Sequence, residues 1–119
     1  MSGFSFESML LRELERRFMY EYDRMSLEEK FGFLGMLLRM LKTEYEQAMV
    51  KCISELLSRR GQKFRLLYNK LGLISIEVNG TIIIVDGIAK EVIVRGSDRK
   101  ALELAKEIAS LTNYKLTQR

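Results

Sequence analysis

Apolar residues recur at helical spacing through the first half of the chain and at every second position after Gly72, so the pattern predicts helices first and a sheet afterwards. From Phe4 to Tyr22, Leu10, Leu11, Leu14 and Phe18 fall three and four apart. Glu13, Glu15, Arg16 and Arg17 occupy the opposite side, as in an amphipathic helix. Ser26-Leu27-Glu28-Glu29 opens a second helix as a capping box, in which the serine hydroxyl and a glutamate satisfy two otherwise free N–H groups. The helix that follows, Leu27 to Leu41, is apolar nearly all round (Phe31, Phe33, Leu34, Met36, Leu37, Leu38, Met40, Leu41) and requires cover on several sides. At about 22 Å, from 1.5 Å per residue, it is too short to cross a bilayer. Phe31, Leu34 and Leu38 on this helix are candidates for a homodimer interface or for a protein partner's seat; a central core helix of a monomer would carry the same pattern. Thr43-Glu44-Tyr45-Glu46 repeats the capping signal and starts a third helix through Ala48, Val50, Ile53, Leu56 and Leu57, with a short edge strand over Tyr45 to Lys51 as the alternative.

A basic loop, Ser58-Arg59-Arg60-Gly61, separates that helix from a further helical stretch, Gln62 to Leu71, which Gly72 stops. Beyond Gly72, Ile74, Ile76 and Val78 alternate with polar residues. Asn79-Gly80 is a hairpin signal, because both residues tolerate the positive φ of a type I′ turn. Thr81 to Val85 and Glu91 to Arg95 complete three strands, and Ser97 or Asp98 caps a last helix, Arg99 to Leu111. The expected fold class is α+β, with N-terminal helices followed by a three-stranded antiparallel sheet on which a C-terminal helix packs. A helical extension over residues 1–42 and a compact unit over 43–119 are the expected divisions.

Charge sharpens this picture. Lys and Arg number 8 against 10 Asp and Glu up to Leu57, and 12 against 6 from Ser58 onward, so the net charge of +4 resides in the second part. Such asymmetry suits a polyanion-binding face, and a charge-rich solvated surface is the plainer account. Between Ser58 and Lys70, Arg59, Arg60, Lys63, Arg65 and Lys70 are basic and no residue is acidic. With Gly61 admitting a close backbone approach and Tyr68 available to stack on a base, these residues form a candidate phosphate clamp for nucleic acid, RNA in preference to DNA. An ordinary helix terminus would carry the same residues. The chain has no His, and its one cysteine, Cys52, has no histidine to activate it. Zinc sites of Cys and His are excluded, and no enzymatic activity, metal or cofactor is expected. Without a run of 18 apolar residues or a basic leader, neither membrane partner nor secretion is expected, and the cytoplasm is the expected location.

The order of parts resembles the KH domain over about residues 45–112. Ser58-Arg59-Arg60-Gly61 stands where that family has a GxxG loop between two helices, with Ile53, Leu56 and Leu57 before it and Phe64 and Leu67 after it. Val92-Ile93-Val94-Arg95-Gly96 and Ala101, Ala105 and Ile108 resemble the last strand and closing helix. The resemblance implies single-stranded RNA held by its backbone at the loop, with bases in an adjacent apolar groove. Ser58 in place of the first glycine, and a strand more than the family's pattern, depart from it. The same residues also resemble a winged helix-turn-helix, with Gln62 to Leu71 as the recognition helix and residues 79–91 as the wing. A third reading, from a different class, is an assembly subunit that binds protein through the apolar helix 27–41. STAR-type proteins, in which a helical dimerisation segment precedes a KH domain, share the layout.

Overall fold

The computed structural model describes residues 6–40, 42–70 and 72–119. Residues 4–5, Leu41, Leu71 and the side chains of Leu11, Met40 and Thr43, on which parts of the sequence reading rest, lie outside the described residues. The elements run α1 (Phe6–Asp23), α2 (Leu27–Met40), α3 (Lys42–Arg59), β1 (Arg65–Lys70), β2 (Leu73–Val78), β3 (Thr81–Asp86), β4 (Glu91–Arg95), α4 (Arg99–Thr112) and β5 (Lys115–Gln118). The α+β class stands. The three-stranded antiparallel sheet does not: the sheet has five strands in the order β1-β2-β3-β4-β5. The first four form an antiparallel meander, and β5, returned by α4, lies parallel to β4.

The three anticipated strands form within a residue or so of their expected limits. Asn79 (φ 51°) and Gly80 (φ 82°) make the tight turn between β2 and β3. Both added strands come from segments whose pairing partner is distant or whose pattern is weak. Of the stretch Gln62 to Leu71, expected as a helix, residues 62–64 are coil and Arg65–Lys70 form β1, with Leu66 opposite Ile76 and Tyr68 opposite Ser75 around a bulge at Leu67. Hydrogen bonds to β2 override its helical composition.

Local signals explain the helix ends. The Ser26 box forms as expected: the Ser26 hydroxyl accepts the Glu29 N–H (3.2 Å) and the Glu29 carboxylate accepts the Ser26 N–H (3.2 Å). Asp98, not Ser97, caps α4, its carboxylate accepting the Ala101 N–H at 2.9 Å. Thr81, the one buried polar side chain among the described residues, fixes that cap by accepting the Asp98 N–H at 3.0 Å.

The α2–α3 hairpin and α4 cover one face of the sheet. Ile74, Ile76, Val78, Ile83, Val85, Val92 and Val94 meet Phe31, Leu34, Leu37, Met49, Ile53, Leu56, Leu104 and Ile108 in one buried cluster. The all-round apolar character of α2 is thereby accounted for: Phe31 and Leu34 are 2% and 0% exposed inside the chain's own core. Among the described residues, helix α1 leans on this body at its C-terminal end. Phe18 packs edge-on against Phe33 with ring centroids 6.4 Å apart, and the Tyr22 hydroxyl donates to Lys30 O at 3.3 Å. Farther up, Met9, Leu10 and Leu14 are about half exposed.

Burial raises the phenol pKa values of Tyr22, Tyr45 and Tyr114 above the ordinary tyrosine range, because the phenolate would have to ionise out of water. The folded-state pKa then exceeds the unfolded one, near 10. Stability from these groups is complete below about pH 10 and declines as pH rises beyond it. The denaturation midpoint is therefore expected to stay level between about pH 7 and 9 and to fall above about pH 10, with phenolate absorbance of the fully buried Tyr22 and Tyr45 appearing together with unfolding. Ionisation of Tyr22 and Tyr45 in a folded chain at about pH 10 would contradict their burial.

Candidate nucleic-acid interface

The basic loop is built around a helix stop. Gly61 (φ 65°) sits just beyond the end of α3, the Gln62 N–H donates to Leu57 O (2.9 Å), and the Gly61 N–H donates to Ser58 O (3.1 Å). This pair of bonds is the Schellman arrangement, which consumes the last carbonyls of a helix and favours glycine at the left-handed position. The loop leads into a strand, so the helix–loop–helix arrangement implied by the KH resemblance is not formed, nor is the recognition helix of a winged fold.

Its arginines splay apart onto carboxylates from other elements. Arg59 Nη1 donates to Glu28 Oε1 at 2.8 Å, near the start of α2. The Glu28 carboxyl is held below its ordinary range by its own backbone N–H first and by Arg59 next, and Glu28 in turn raises the Arg59 pKa. Arg60 reaches Glu107 on α4, its Nε donating to Oε2 at 2.9 Å. Arg65, on β1, pairs with Glu77 across the strand ladder at 3.2 Å. Of the clamp residues, Lys63 and Lys70 make no ion pair among the described residues, and Tyr68 is 44% exposed. Phosphate would have to displace three ion pairs to use the arginines.

What the topology does bring together lies on the sheet face away from the helices. The ladder aligns Tyr68, Ser75, Ile84, Ile93 and Thr117 in one row across all five strands. A second row holds Arg65, Glu77, Ile82 and Arg95, and a third Lys70, Leu73, Asp86, Glu91 and Lys115. Among the described residues no element packs over these rows, and their isoleucines are half-buried, where the helix-facing ones are fully buried. Each of the three carboxylates on this face is already engaged. Glu77 faces Arg65, Asp86 Oδ1 accepts the N–H groups of Ile88 (3.0 Å) and Ala89 (2.9 Å), and Glu91 Oε2 accepts the Thr117 hydroxyl at 2.6 Å. Lys70, Arg95 and Lys115 make no ion pair among the described residues. The outer strands stand about 19 Å apart, from four spacings of about 4.8 Å, with Lys70 and Lys115 at the two ends of a row whose inner positions are Leu73, Asp86 and Glu91, beside the apolar positions Ile84 and Ile93 of the neighbouring row.

No known family, characterised protein or solved structure matches this chain. The site therefore has to be judged on its own chemistry. Of the residues singled out from sequence, Tyr68, Lys70 and the paired Arg65 lie on the open face, while Arg59, Arg60 and Gly61 end a helix. Arg95 and Lys115 escaped sequence reasoning because only strand register carries them to that face. The signal for a second apolar face was present in the uninterrupted runs Ile82 to Val85 and Val92 to Val94, which suit a strand with apolar residues on both sides. Among the described residues no cluster of Cys, Asp and Glu could hold a metal ion, and no helix is long and apolar enough to cross a membrane.

Proposed function

We propose that this chain binds single-stranded nucleic acid, RNA in preference to DNA, across the open face of its sheet. The observation that carries the reading is the open face itself: Lys70, Arg95 and Lys115 make no ion pair there among the described residues and stand beside the apolar positions Ile82, Ile84 and Ile93, while Glu77 is paired with Arg65 and Asp86 and Glu91, which keep their charge, are hydrogen-bonded to N–H and hydroxyl groups. Bases would lie on Ile84, Ile93 and the Tyr68 ring, and phosphates would meet the cations at the two edges. Lys63, exposed beside the start of β1, would extend the track. The arginines of the helix stop contribute to the surrounding potential without gripping the ligand.

The direct test is a titration of the whole chain with single-stranded RNA and with duplex DNA at two salt concentrations. Tighter binding of the single strand, weakening steeply as salt rises, is the expected result. Binding that favours duplex DNA, or none at low salt, would remove the reading.

A second reading, self-assembly, is favoured by one observation: Met9, Leu10 and Leu14 present an apolar strip on the part of α1 where no other element packs. The partner surface expected on α2 shifts to α1, because Phe31 and Leu34 are consumed by the core and Leu38 packs against it. Sedimentation of Leu10→Glu with Leu14→Glu is expected to give a folded monomer from a wild-type dimer. A monomeric wild type would dispose of this second reading.

A further inference from the structure

An open groove of about 640 Å³ lies between the exposed side of α2, the turn joining β3 to β4, and the C-terminal end of α4. That size falls within the range of small-molecule sites. Its floor is Gly32 and Gly35, and Leu38, Ile88 and Tyr114 line its walls. Arg39 and Lys90 supply its only charges, and no acidic side chain lines it among the described residues. None of the groove's lining residues belongs to the strand rows described above, although Gly87, Lys90 and Tyr114 directly adjoin Asp86, Glu91 and Lys115 of the third row.

The two glycines are unexplained by packing. A Cβ built on either would meet nothing within 4 Å, and neither has a positive φ. Glycine inside a helix costs about 1 kcal/mol relative to alanine, so α2 gives up helix stability at two positions without any packing return. Their effect is to leave the groove without an α2 side chain at these two positions. Ile88, 71% exposed, stands at its edge as apolar surface with no cover. Two cations lining a largely apolar groove suit an anion with an apolar body. The charge of that anion is limited by α4, whose C-terminal residues Thr112 and Asn113 also line the groove and bring the negative end of the helix dipole to it. A dianionic phosphate would face that field; a single carboxylate set between Arg39 and Lys90 is less opposed.

We infer that this groove is a binding site for a small amphipathic monocarboxylate, with Arg39 and Lys90 holding the head and Leu38, Ile88 and Tyr114 the apolar body. The test uses the full chain and two fluorescent probes of similar shape, anionic anilinonaphthalene sulfonate and uncharged N-phenylnaphthylamine. Saturable binding of both is expected, with dodecanoate displacing the anionic probe and inorganic phosphate failing to do so. Gly35→Leu, which fills the trough and favours the helix, is expected to weaken both probes at least about tenfold. Arg39→Gln with Lys90→Asn is expected to weaken the anionic probe about tenfold and leave the neutral one within about twofold. Probe binding unaffected by Gly35→Leu would place it elsewhere on the molecule and overturn the site. Equal loss of both probes in the charge variant, or displacement by phosphate as good as by dodecanoate, would overturn the carboxylate assignment. Circular dichroism of each variant separates loss of the site from loss of the fold, and none of these outcomes depends on nucleic-acid binding.

Discussion

Leu34→Glu is expected to unfold the protein at neutral pH. Leu34 is fully buried on α2, in the cluster it shares with Phe31, Leu37, the α3 side chains and the sheet. Truncation alone, Leu34→Ala, removes buried methyl groups and leaves a cavity, at a cost of about 2–5 kcal/mol. Single domains hold only about 5–15 kcal/mol in total, so the alanine variant should lose a large share of its stability and the glutamate variant nearly all of it. A carboxylate at this position would have no partner and no water, which adds the cost of burying a charge. Guanidinium denaturation followed by circular dichroism reads both variants. The same substitution also separates two roles for α2. An interface position would tolerate the charge and yield a folded, dissociated chain; a cooperative unfolding transition retained in Leu34→Glu would place Leu34 outside the core.

Reversing the three unpaired cations of the open face, Lys70→Glu, Arg95→Glu and Lys115→Glu together, is expected to lower affinity for single-stranded RNA by about a hundredfold or more at moderate salt. Each phosphate neutralised on a single strand contributes about 0.7 to the slope of log affinity against log salt, so loss of three contacts should flatten that slope by about 2. The matched control is Arg59→Gln with Arg60→Gln. Those guanidinium groups are committed to Glu28 and Glu107, and solvent-screened ion pairs of this kind contribute little to stability. The control should therefore remain folded and bind within about threefold of the parent chain. The opposite order of effects, with the loop pair critical and the face dispensable, would return the site to the helix terminus. Thermal melts of both variants exclude unfolding as the cause.

The sequence by itself determined those features whose cause lies within a few residues. The Ser26 to Glu29 box, the Asn79-Gly80 turn, the three alternating strands and the last helix each rest on a contact or a φ value local to the segment. Gly61 was legible as a residue that needs positive φ; whether it cradled a phosphate or ended a helix depended on what followed. Tertiary structure decided that, by pairing Leu66 and Tyr68 with Ile76 and Ser75 and drawing Gln62 to Lys70 out of the helical state its composition favours. It also decided the fate of the cations. The carboxylates that claim Arg59 and Arg60 lie 31 and 47 residues away, a separation that no local pattern encodes. Lys115 reaches the open face only because α4 returns the chain alongside β4. Pairing of that kind depends on closing long loops and on a register that is settled only once the core has formed, whereas caps and turns are fixed by their nearest neighbours.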